Sequence, residues 1–276
     1  MKTPALLMLL ASAVLHAWWN YLIKRDRGGS LFIGLSKVAE AVVLAPLFLF
    51  LGAREALAAG ISLIPLVAVG AALTLTNYVM LSIAYRKGDL SYVYPVSRGS
   101  VLLFLPILGA LVFNERPSRM GWAALALIVA GIGTLQLPTL TFASVRGVAR
   151  RLATSPATGF ALLAALAAAG YTTWDKHAIQ TISALTYFYL YTVLVAVAYA
   201  AFIVRTQSAS NIRAGWSAHR GSIVAVGVCN ALAYLLVLAA LRDGTSSYVI
   251  ALRQLSVAFG ALLGWRLLKE EFGAAK

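Results

Sequence analysis

The sequence predicts an all-α integral membrane protein: two inverted-topology repeats of five transmembrane helices, with the tenth helix absent from this chain and nine spans remaining. Three observations predict it. First, 61% of the 276 residues are hydrophobic and only 12% are charged, with a mean hydropathy of +0.84. A water-soluble surface needs roughly a quarter of residues charged. Second, apolar runs near twenty residues, long enough to cross a bilayer as helices, recur along the whole chain. Third, Ala84, Arg86, Gly88, Ser91, Tyr92 and Val93 recur at a constant offset of 156 as Ala240, Arg242, Gly244, Ser247, Tyr248 and Val249. The same offset pairs Tyr78 with Tyr234, Ser100 with Ser256 and Glu115 with Glu271. A unit with an odd number of spans, once duplicated, inserts its second copy upside down.

The spans are placed at 3–23, 31–51, 63–85, 92–113, 119–137, 157–175, 184–204, 221–241 and 247–268. Lipid offers the backbone no hydrogen bonds, so each must be a helix. The opening Met-Lys-Thr-Pro followed by apolar residues to Ala17 has the outline of a secretory signal. Its counterpart around Gly159–Lys176 lies mid-chain, where no signal belongs, so the first span is expected to be retained. A tenth span should follow Glu271 as 119–137 follows Glu115, and the chain stops at Lys276. Three regions result: a first repeat at 1–138, a basic linker at 139–156 and a second, shortened repeat at 157–276.

The basic residues test the inversion. Loops 1–2, 3–4, 5–6 and 7–8 and the tail hold Lys24, Arg25, Arg27, Arg86, Lys87, Arg146, Arg150, Arg151, Arg205, Arg213, Arg220, Arg266, Lys269 and Lys276. The other side holds Lys2, Arg54, Arg116, Arg119, Lys176 and Arg242. The richer side is cytoplasmic by the positive-inside rule, which leaves the amino terminus outside. The bias reverses between the halves, as an inverted duplication requires.

Several function classes drop out. The formal charge of +14 suggests nucleic acid, but the basic residues form short clusters at span ends rather than one patch. The single cysteine, Cys229, sits in an apolar run, excludes an internal disulfide and reads as a small packing residue. Three scattered histidines form no metal cluster, and neither a metal nor a cofactor is implied. No Ser/His/Asp set or carboxylate pair shares one depth, so an enzyme is disfavoured.

Three stretches carry a family likeness. Leu15-His16-Ala17-Trp18-Trp19-Asn20 with Lys24, the run Arg86-Lys87-Gly88-Asp89-Leu90-Ser91-Tyr92-Val93-Tyr94-Pro95, and Asn114-Glu115-Arg116-Pro117 resemble EamA-type members of the drug/metabolite transporter superfamily. The resemblance covers nearly the whole chain. It implies ten helices in two inverted halves, a central cavity lined by the first four helices of each, and the fifth helix packed outside. It also implies cytoplasmic termini, opposite to the charge count.

Ionisable residues inside the membrane are costly and generally face a cavity or a partner. Arg98 lies about two turns into span four and Arg253 at matching depth in span nine, so the two could hold a carboxylate or phosphonate. The alternative is that each snorkels outward or pairs with a carboxylate. Lys37 and Glu40, three apart on span two, read either as an internal ion pair or as a coupling site with Glu40 carrying a proton. His16 and Asn20 share one helix face with Trp18 or Trp19 alongside, a packing or a cavity set. Asn77 and Asn230 read as interhelical glue or cavity hydrogen-bonders. Tyr92, Tyr94, Tyr171, Trp174, Tyr234 and Tyr248 suit a binding wall, or else interfacial belts. Tyr187, Tyr189 and Tyr191 are assigned to a belt, and Asp175 with Lys176 to the interface ending span six. Pro95 either begins or kinks span four. Gly260 and Gly264 form a small-residue face for packing between spans or in a homodimer.

The expected function is secondary transport of a small, amino-acid-like or anionic metabolite by alternating access in the cell's inner (plasma) membrane. The alternative is a flippase of a lipid-linked carrier with the same fold.

Overall fold

Backbone groups in hydrocarbon must be paired internally, and the described residues meet that demand with helices. The computed structural model describes residues 3–26, 29–88, 90–134 and 141–268, and no strand occurs among them. The long helices are α1 (Thr3–Arg25), α2 (Ser30–Leu51), α4 (Leu63–Lys87), α5 (Leu90–Phe113), α6 (Arg119–Thr134), α8 (Pro156–Thr181), α9 (Ala184–Thr206) and α10 (Ala209–Asp243). Shorter ones are α3 (Ala53–Ala59), α7 (Phe142–Thr154), α11 (Ser246–Arg253) and α12 (Leu255–Leu268).

Among the described residues, seven segments are long and apolar enough to cross a membrane. Two of the nine expected spans differ. The fifth is α6, an apolar helix of 16 residues. The ninth is divided at Gln254 into α11 and α12, at the Arg253-Gln254 step where the span is most polar. Glu271 and the side chain of Tyr94 lie outside the described residues.

Local chemistry sets the ends. Asn114 takes a left-handed conformation at φ 53°, and the Glu115 amide donates to the Gly109 carbonyl at 3.0 Å, which closes α5. Asn tolerates that region, and Pro117 then forbids continuation. Gly60, at φ 56°, makes the turn between α3 and α4 that an L side chain would strain. Thr141, Ser183 and Ser208 cap α7, α9 and α10 by accepting from the amides of Ser144, Thr186 and Asn211. Pro95 neither begins α5 nor ends it; the helix starts at Leu90 and runs through both Pro95 and Pro106.

The chain divides into two compact units that do not follow its sequence halves. Among the described residues, one holds those of 3–71, Lys176–Gly244 and 252–268; the other holds those of Ala72–Asp175 and Thr245–Ala251. In the first, α1 packs on α10 and α12, and α2 on α9 and α10. Small residues allow these approaches: a Cβ added at Gly227 would lie 3.0 Å from both the Glu40 amide nitrogen and the Ser36 carbonyl oxygen. Leu22, Phe32, Ala39, Ile223 and Val226 form a core cluster there. In the second unit α5 packs on α6. There α8 presents buried Ala157, Ala161, Ala164, Ala165 and Ala168, and the first two pack with Ala84, Tyr92, Val93 and Val96.

Four expectations are corrected. The stretch before residue 221 is no loop: α10 begins at Ala209, because hydropathy marks depth in lipid whereas only a breaker or cap ends a helix. The basic linker contains α7. Asp175 and Lys176 do not end a span; α8 continues to Thr181 and both side chains are buried. Tyr187 and Tyr191 are no interfacial belt: they are buried, one helical turn apart on the inner face of α9.

Candidate functional site

In the first unit a polar chain runs from α2 through α10 to α1 and the break after α11. Lys37 and Glu40 stand one turn apart on α2, and their Nζ and Oε2 atoms are 2.9 Å apart. Glu40 is 1% exposed, so an unpaired charge there would carry a large desolvation cost. Its other oxygen, Oε1, accepts from Asn230 Nδ2 at 2.8 Å. Lys37 and Glu40 are thus in ion-pair contact on α2, and Asn230 ties Glu40 to α10. The 190 positions between Glu40 and Asn230 are why the sequence did not join them.

Asn230 and Tyr234 are one turn apart on α10, hence on one face. Tyr234 stacks on Phe188 (centroids 5.3 Å apart, planes at 21°) and meets Tyr191 edge-on at 6.2 Å. Over its ring lies the Arg253 guanidinium, 5.2 Å from the centroid, a cation–π distance. Nη2 of Arg253 is also 3.4 Å from Nδ1 of buried His16.

His16 Nδ1 receives a second donor, Trp19 Nε1, at 3.2 Å. Guanidinium and indole nitrogens only donate, so Nδ1 must present its lone pair and the ring proton resides on Nε2. Asn20, on the same helix face, donates from Nδ2 to the His16 carbonyl at 2.6 Å. His16, Trp19, Asn20, Tyr234 and Arg253 thus come together in one unit. Arg253 occupies the last turn of α11, where a cation meets the negative end of the helix dipole. Among the described residues no carboxylate lies within ion-pair distance of it.

The remaining candidates belong to the second unit. Asn77 Nδ2 donates to the Ala164 carbonyl at 2.8 Å, joining α4 to α8. The Tyr92 hydroxyl pairs with Thr158 Oγ1 at 2.6 Å, and the Arg151 guanidinium lies 4.1 Å over its ring. The Tyr248 hydroxyl accepts from the Ser118 amide at 2.8 Å, and Gly121 leaves the room its ring requires. Glu115, two residues past the end of α5, accepts from the Ser246 amide at 3.0 Å and so caps α11. Arg98, Tyr171 and Trp174 are half-buried along α5 and α8. The small-residue face at Gly260 has open space where a Cβ would stand.

Arg151, Thr158, Phe188 and the Glu115 cap escaped the sequence reading. An N-terminal cap followed by arginines between apolar residues spaced three and four apart was the signal for α7 and Arg151. The others needed contacts between distant segments.

Comparison with known proteins adds a family likeness. The model of the EamA-like transporter family, a family of transporters, matches residues 156–276. No curated protein matches the chain. One solved crystal structure, described only as that of a protein, is similar over 100% of this chain and 92% of its own. Its TM-score is 0.71 at 14% sequence identity, a likeness of fold.

Proposed function

We propose that this multi-pass membrane transporter, EamA-like over residues 156–276, is a secondary transporter of a small anionic or amino-acid-like metabolite. It works by alternating access of two inverted halves, residues 1–138 and 157–276, in the inner membrane. Substrate meets Arg253, His16, Trp19, Asn20 and Tyr234, and Glu40 with Lys37 forms the coupling pair. Asn77, Tyr92, Tyr94, Arg98, Tyr171, Trp174 and Tyr248 complete the candidate set.

The observation that carries this reading is Arg253. It is a cation in an apolar span whose partners among the described residues are a neutral imidazole nitrogen and an aromatic face. Its remaining N–H donors suit a carboxylate, which a guanidinium binds with paired hydrogen bonds. A small anion is the ligand that removes the cost of holding that charge in lipid. Two matched contacts support the duplication. Ser12 Oγ donates to the Ala233 carbonyl at 2.7 Å between the first and eighth expected spans. Asn77 Nδ2 donates to the Ala164 carbonyl at 2.8 Å between the third and sixth. Ala233 and Asn77 stand at the repeat offset of 156, and Ser12 and Ala164 stand about one helical turn from it, so each copy joins equivalent helices at nearby positions.

Proteoliposome counterflow with labelled amino acids, carboxylates, phosphonates and organic cations tests it. Gradient-driven flux of one anionic class, reduced at least about tenfold by Arg253→Gln, is expected. Folded protein that moves none of the panel, or moves cations alone, overturns it.

A further inference from the structure

We infer that α7 is an anionic-lipid binding element lying in the headgroup layer of the bilayer. Its apolar residues Val145, Val148, Ala149 and Leu152 follow at intervals of three, one and three, which makes one stripe along the helix. Val145 and Leu152 are 50% and 41% exposed. Arg146 and Arg150 flank one side of that stripe and Arg151 the other. Short helices of this pattern lie in the membrane plane, with the stripe at the acyl boundary and the arginines among phosphates.

Its height in the bilayer is fixed by contacts within the second unit. Arg151 stacks on Tyr92, near the start of α5, and Tyr92 in turn bonds Thr158, near the start of α8. A Cβ at Gly88, just past the end of α4, would lie 2.8 Å from the Ala157 Cβ. The ends of α4, α5 and α8 therefore converge at one level, and Arg151 holds α7 there. Arg86 and Lys87, both exposed in the last turn of α4, add positive charge at that level. Arg146 and Arg150 are exposed, and among the described residues neither meets an acidic partner. The occupant that matches an apolar stripe edged by the unneutralised Arg146 and Arg150, beside the ends of membrane spans, is an acidic phospholipid leaflet.

The test compares whole protein in nanodiscs of phosphatidylcholine alone with nanodiscs that also contain phosphatidylglycerol, reading amide hydrogen exchange across residues 141–155. Each arginine near an acidic leaflet contributes about a fivefold preference, so two should slow exchange in α7 by roughly twenty-five-fold. Arg146→Gln with Arg150→Gln should remove that protection and leave exchange in α4 and α8 unchanged, which shows the variant still folded. Equal exchange in neutral and acidic discs, or an undiminished lipid effect in the double variant, overturns the inference. Inorganic phosphate added to neutral discs separates the sources: protection by phosphate alone means a soluble-anion site and likewise overturns it.

Discussion

Replacing Gly227 by alanine probes the packing that holds the polar chain together. The new Cβ would stand 3.0 Å from the Glu40 amide nitrogen, 3.0 Å from the Ser36 carbonyl oxygen and 3.2 Å from the Glu40 Cα. All three are backbone atoms and no rotamer can relieve them. Comfortable contacts begin near 3.5 Å, so α2 and α10 must separate by about 0.5 Å. Forcing extra volume into a packed seam costs about 1–3 kcal/mol. Alanine also gains about 1 kcal/mol of helix propensity over glycine, which would mask part of the loss. Gly221→Ala supplies the correction: it lies on the same helix with nothing within 4 Å of its Cβ. The difference between the two variants then isolates the steric cost. At about 2–4 °C per kcal/mol for a chain of this size, Gly227→Ala should melt roughly 6 °C below Gly221→Ala in detergent. The separation would also stretch the Glu40–Asn230 hydrogen bond from 2.8 Å past the usual limit of about 3.2 Å. Equal melting temperatures for the two variants would refute the close approach of α2 to α10.

Other perturbations read other parts. Tyr92→Phe should cost about 1–2 kcal/mol by stranding the buried Thr158 hydroxyl, and Tyr92→Phe with Thr158→Val should recover most of it, measured as a double-mutant cycle by thermal unfolding. Glu115→Ala should destabilise by about 1–3 kcal/mol through loss of the α11 cap, with Glu115→Gln milder because one acceptor survives. Asp26, just beyond α1, is held below the usual carboxylate range chiefly by its hydrogen bond from Arg25, with help from Ser222 and His219. A depressed carboxylate contributes stability above its unfolded pKa of about 4 and loses it as pH falls through the folded value. Wild-type protein should therefore lose melting temperature on acidification below that point more steeply than Asp26→Asn, in a pH series of thermal melts. If Glu40 couples transport to protons, Glu40→Gln should abolish the dependence of flux on a pH gradient while counterflow persists in proteoliposomes.

What was legible in the sequence divides along a physical line. Apolar length marks lipid depth directly, so the long helices and their order could be read from single segments. The i,i+3 pair Lys37–Glu40 could be read too, because helix geometry alone decides that contact. Features that depend on a second segment could not. Glu40 looked like a carboxylate with one partner until Asn230 arrived from α10. Tyr187 and Tyr191 looked interfacial because hydropathy does not say which face of α9 meets protein. Periodicity equally gave no sign of the break at Gln254, since Arg253 and Gln254 are ordinary helix formers. Arg253 is the instructive case. Depth and repeat position singled it out as a cation needing a partner, whereas what it meets, a histidine lone pair and a tyrosine face, depends on α1 and α10. In a membrane bundle the pattern within a segment states which charges need an account, and only packing between segments names the group that supplies it.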